Sequence, residues 1–177
     1  PRDGANMLHF DRSETFAKAV ICLFAVAAAV GASAGEGKQD GLGGISSEGG
    51  ELYYRGQLVE GQPYGKGKVY WTSSKVYVLK YMGQFAEGLE HGRGAFYHYG
   101  TRDLRYEGQV KRGKRHGAGI VFWENGNVKY KGQFTEDNWH GAGMLHRTDG
   151  NLCYEGQFEE NRRHGAGVAY WGNGTAM

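Results

Sequence analysis

The chain has 177 residues, with 32 Gly, 2 Pro, 14% aromatic side chains and a formal charge of +2. That length holds one ordinary domain and an appendage. Abundant glycine without a Gly-x-y period, and with almost no proline, excludes collagen and argues against simple disorder. Residues 51–177 hold 17 basic and 13 acidic side chains; this is well short of a nucleic-acid-binding footprint, and no nucleic acid partner is expected.

Residues 1–18 are polar and include Met7. From Ala19 to Ala34 runs an uncharged, Ala-rich stretch, shorter than the roughly 18–20 apolar residues a membrane span needs. It closes on Ala32-Ser33-Ala34 and follows Lys18, the layout of a secretory leader with a small-x-small cleavage site. Asp11 and Glu14 offset Arg12 and Lys18. Residues 1–34 are therefore read as an N-terminal helical targeting segment, a signal peptide or a membrane anchor, outside the fold. The compartment follows from it: secretory or membrane-associated if residues 7–34 act as a signal, cytoplasmic otherwise. Residues 35–52 read as a flexible Gly-rich linker. They contain no Gly-x-x-x-x-Gly-Lys-Ser/Thr loop, so no phosphate cradle and no cofactor are expected there.

From residue 53 onward one pattern recurs five times. Its copies open at Tyr54, Tyr81, Tyr106, Tyr130 and Tyr154, in steps of 27, 25, 24 and 24 residues. With the opening Tyr as zero, every copy has Gly at +2 (Gly56, Gly83, Gly108, Gly132, Gly156), Gln at +3, and Gly at +11 and +13. Position +4 is apolar (Leu58, Phe85, Val110, Phe134, Phe158), and +10 is His91, His116, His140 and His164, with Tyr64 in the first copy. A fixed period in this range signals a repeat array. The units are 54–80, 81–105, 106–129, 130–153 and 154–177.

Each unit reads as two strands. Tyr at 0, Gly at +2 and the apolar +4 share one face of the first. A polar turn follows, with Gly61, Gly88, Gly113 and Asn161 at +7 suited to positive φ, and Asp137 there in the fourth unit. The second strand starts at Gly-x-Gly and ends in an apolar run such as Ile120 to Trp123; Asn125-Gly126, Asp149-Gly150 and Asn173-Gly174 then signal hairpins. The expected fold is all-β: an elongated, single-layer antiparallel meander of five hairpin repeats, ten strands in all. Glycines at fixed positions imply an aromatic ring from a neighbouring strand lying flat over bare backbone.

Tyr-x-Gly-x-(apolar)-x-x-Gly-x-x-His-Gly-x-Gly resembles the MORN (membrane occupation and recognition nexus) repeat, over residues 54–177. Gln stands at +3 where the family commonly has an acidic residue, and Leu, Phe or Val at +4 where it commonly has Trp. The resemblance implies scaffolding, often near membranes, and equally fits the repeat portion of a larger lipid kinase or SET-domain methyltransferase.

The recurring histidines stand on every second strand, about 9–10 Å apart at the backbone. Zinc needs nitrogens within about 2.1 Å of one ion, so no metal is expected and the histidines are assigned to capping or stacking. Cys153 reads as an inert half-buried thiol, and no nucleophile signature accompanies it. A single-layer ribbon cannot cover both faces, so the aromatic rows are expected to leave a surface for a protein partner: Tyr81, Phe85, Tyr106, Trp123, Tyr130, Phe134, Tyr154, Phe158 and Trp171. A basic turn edge, Lys111, Arg112, Lys114, Arg115, Arg162 and Arg163, is the candidate for an acidic membrane surface. The expected function is a non-enzymatic scaffold binding a partner protein. The alternatives are the regulatory part of a larger enzyme, or direct binding of acidic phospholipid.

Overall fold

The computed structural model describes residues 43–46, 52–73 and 76–177. The segment 1–34 lies outside them. The described residues form one open antiparallel sheet of eleven strands in sequence order. Ten come from the five repeats: β2 (Leu52–Val59), β3 (Gln62–Ser73), β4 (Val76–Ala86), β5 (Leu89–Tyr97), β6 (Leu104–Lys111), β7 (Lys114–Phe122), β8 (Val128–Thr135), β9 (Asn138–His146), β10 (Leu152–Glu159) and β11 (Arg162–Ala169). An eleventh, β1 (Gly43–Ser46), comes from the stretch read as a linker and pairs with β2, Ile45 opposite Tyr54. The edge of β2 offers unpaired backbone groups, and a short Gly-Gly-Ile-Ser segment beside it satisfies them.

The two-residue turn of each unit falls at +6 and +7. Both residues are left-handed: Glu60/Gly61, Glu87/Gly88, Arg112/Gly113, Glu136/Asp137 and Glu160/Asn161. Two consecutive positive-φ residues match the right-handed twist of the flanking strands. The Asn-Gly and Asp-Gly turns between units close differently. Trp123 N–H donates to Asn127 O (2.8 Å) and Gly126 N–H to Trp123 O (2.9 Å), with Gly126 left-handed. The 147–151 and 171–175 turns repeat that scheme.

The Tyr face is the core. Tyr54, Tyr81, Tyr106 and Tyr130 are at most 1% exposed and Tyr154 is 6% exposed. Each ring lies across Gly +2 of its own strand and Gly +13 of the next, and its hydroxyl donates to the +3 carbonyl, as Tyr106 does to Gln109 O at 2.6 Å. A Cβ on Gly119 would sit 2.5–2.6 Å from the Tyr106 ring carbons. The recurring glycines are thus the floor on which the rings lie.

Position +4 wedges between tyrosines of successive units. Phe134 meets the Tyr106 and Tyr130 rings edge-on at 5.3 and 5.2 Å, and Phe158 meets Tyr130 and Tyr154 at 5.1 and 5.2 Å. Such contacts contribute about 0.5–1.5 kcal/mol each beyond area burial. Backbone bonds lock the turns together: each +7 N–H from the second unit onward donates to the +9 carbonyl of the preceding unit.

Candidate functional site

The expectation of an exposed aromatic face fails for seven of its nine residues. Tyr81, Phe85, Tyr106, Tyr130, Phe134, Tyr154 and Phe158 are all buried. The reason is a cover supplied by position +9, which shares the Tyr face because it pairs with +4. Trp139 stacks on Tyr130 at 4.5 Å and 6°. Arg115 lies 6.0 Å above Tyr106 and 5.4 Å above Phe134, and Arg163 lies 4.8 Å above Tyr154. In the second unit Glu90, buried, meets Lys80 at 3.3 Å. A bulge at position −1 turns Lys80, Arg105 and Lys129 onto the same side, where Arg105 covers Phe96 and Lys129 covers Trp123. We call this the inner face. Trp123 is half-buried and Trp171 is 55% exposed, both at the between-unit turns.

The basic turn edge is largely committed within the sheet. Lys114 pairs with Glu136 at 2.6 Å and holds its carboxyl below the usual range. Arg115 Nε meets Asp137 Oδ1 at 3.0 Å, and its Nη2 donates to Asp137 O at 2.7 Å. Arg163 is spent over Tyr154. Lys111, Arg112 and Arg162 remain exposed.

The histidines at +10 project to the opposite, outer face, across from Gln +3. They do not cap the strand irregularity there; the glutamine does. Gln84 Oε1 accepts from Arg93 N–H at 2.8 Å and Gln57 Oε1 from Lys66 N–H at 3.3 Å, at the point where the pairing slips. Gly +11, left-handed, leaves room for that side chain. His91 and His116 line a groove of about 260 Å3 with Gln84, Gln109, Arg93 and Lys111. His140 and His164 are exposed, His164 beside Glu159 at 3.3 Å. Among the described residues no three His, Cys, Asp or Glu side chains are grouped to hold a metal.

Two further rows occupy the outer face, and neither was anticipated. One runs through paired residues Ala95, Glu107, Ile120, Lys131, Met144, Glu155 and Val168, one per strand from β5 to β11. Apolar and charged side chains alternate along it. Beside it runs an apolar stripe of pairs: Tyr70 with Tyr53 on one side and Leu79 on the other, then Tyr97–Leu104, Phe122–Val128 and His146–Leu152, with Tyr170 just past β11. All ten are half-buried. The stripe has a sequence signal, an aromatic or His at +16 and Leu or Val at −2. Simple alternation puts −2 on the inner face, and only the −1 bulge brings it round to join +16.

The MORN repeat profile matches residues 54–76, 81–98, 106–128, 130–152 and 154–176, and the chain belongs to that family. The glycine floor, the Tyr row and the hairpin of each unit fall within those matches. No curated protein matches the chain.

Proposed function

We propose that this chain is a non-enzymatic interaction module whose outer sheet face seats another protein chain. One observation carries the reading. The inner rings have a second layer over them and are sealed, whereas the Tyr53–Tyr170 stripe, outside the Tyr53–Tyr70–Tyr77 ring cluster at one end, has none and stays half-open. A continuous apolar strip rimmed by polar residues is the usual mark of a protein-binding surface. The rim here is the Glu107, Lys131, Glu155 row.

The test is site-specific photo-crosslinking in cells, with the reactive residue at position 122 or 97 on the outer face and at 139 on the inner face. Adducts are expected from 122 and 97 and not from 139. Equal yields at all three positions would sink the reading. An acidic membrane surface, met by the turn edge, now rests on Lys111, Arg112 and Arg162 alone. Vesicle sedimentation unchanged by reversing those three charges would remove it.

A further inference from the structure

We infer that the chain seated on the outer face is a second copy of this one, packed face to face about a two-fold axis parallel to the strands and lying over β7. The inference rests on the reading of that face as an interaction surface and names its occupant.

The outer face is complementary to itself. A two-fold along β7 lays β6 over the partner's β8, β5 over its β9, and so outward to β3 over β11. Those nine carry the stripe except for Tyr53 of β2, which is left unopposed, and β7 is their centre. On the charged row, Glu107 of β6 then faces the partner's Lys131, and Lys131 faces the partner's Glu107. Ile120 between them meets its own equivalent at the axis. On the stripe, Leu104 lies over the partner's Val128. Glu107 and Lys131 have no ion pair or hydrogen bond among the described residues, so neither charge is already spent.

Other registers are worse. An axis over β8 places Lys131 against itself and Glu107 against the partner's Glu155, like against like. An axis over β6 places Glu107 against itself. An axis over β9 pairs Lys131 with Glu155 but leaves β3 to β6 without opposing strands. The alternating signs on β6, β8 and β10 therefore select β7 or β9, and extent selects β7. Nine strands at about 4.8 Å, two side-chain rows wide, bury on the order of 500–600 Å² per copy. That is below the roughly 800 Å² per partner of a standard stable interface, so the dimer is a reversible one.

Sedimentation velocity of the full chain across a concentration series tests this. A monomer–dimer equilibrium is expected. Lys131→Glu or Glu107→Lys alone sets like charges together twice over and weakens self-association roughly tenfold or more. Mixing the two single variants restores opposite charges at both contacts, and a heterodimer forms. That recovery is independent of any loss of folding, which mixing cannot repair. A monomer at every concentration overturns the inference, as does a dimer insensitive to both Lys131→Glu and Phe122→Glu. In either case the crosslinks at 122 separate the two claims: adducts to a different chain leave the outer-face reading standing, and no adducts remove it as well.

Discussion

On the inner face each opening tyrosine lies flat over two glycines, and Tyr106, Tyr130 and Tyr154 are roofed by the +9 side chain. On the outer face stand Tyr97, Phe122 and, just past β11, Tyr170, each half-buried and with no ring or cation stacked on it among the described residues. Both sides carry aromatic rings, yet one is sealed and the other half-open. Hydrophobicity alone does not decide burial in a single sheet. What decides it is whether the backbone beneath is bare enough for a ring to lie down, and whether the next hairpin supplies a lid.

The broadest way to break this contrast is alkaline pH. Burial pushes the Tyr54 and Tyr130 hydroxyls up from 10.0 to about 12, and those of Tyr81 and Tyr106 up as well. The folded state holds these protons more tightly than the unfolded chain, so their stabilisation is complete below pH 10 and drains away as pH climbs towards 12. Unfolding followed by circular dichroism should coincide with the ultraviolet signal of inner-face phenolate. Ionisation of these rings near pH 10 with the sheet intact would mean the face is not sealed.

Substitutions locate the effect. Tyr106→Ala removes a ring that is 1% exposed and should cost about 3–5 kcal/mol, by analogy with other buried aromatics. Gly119→Ala drives a methyl into the same ring and should cost about 1–3 kcal/mol. The sharper form is the double variant: with the Tyr106 ring gone, the methyl has space, so the Gly119→Ala penalty should shrink by most of its size. Additive penalties in denaturant titrations would show that glycine acts there through the backbone and not as a floor.

The repeat period gave the strand order, and the 0, +2, +4 alternation correctly put Tyr, Gly and the apolar residue on one side. Alternation failed wherever it crossed a bulge. Lys80 at −1 is the extra residue opposite β3, so Leu79 turns outward to Tyr70, and no period-2 reading recovers that. The aromatic rows were legible as packing but not as buried, because the lid differs chemically from unit to unit: Glu90, Arg115, Trp139 and Arg163 share a place and no property. The left-handed +6 residues were equally hidden, since Glu and Arg carry no turn signal.

Asp137 offers a smaller test, confined to one joint. Its Oδ1 accepts from the Arg115 N–H at 2.9 Å and from Nε at 3.0 Å, bonds that units with Gly at +7 lack. Asp137→Gly removes both, at about 1–2 kcal/mol, and relieves a left-handed φ of 70° worth about 1 kcal/mol. The net should be a loss below about 1 kcal/mol, read as faster amide exchange at the β7–β9 joint and nowhere else.

The smallest expected effect is the one that defines the outer face. Phe122→Ser deletes a ring as large as Phe134, which sits on the adjacent strand of the same sheet. Because Phe122 has no covering layer and no glycine floor, the cavity term that dominates inner-face losses is absent. Only part of the transfer term remains, so the monomer should lose about 1 kcal/mol or less, against several for Phe134→Ser. Comparable losses for the two, measured under dilute conditions where any association is dispersed, would mean that the outer ring is packed within its own chain. Unequal losses leave Phe122 as apolar surface that the monomer does not use.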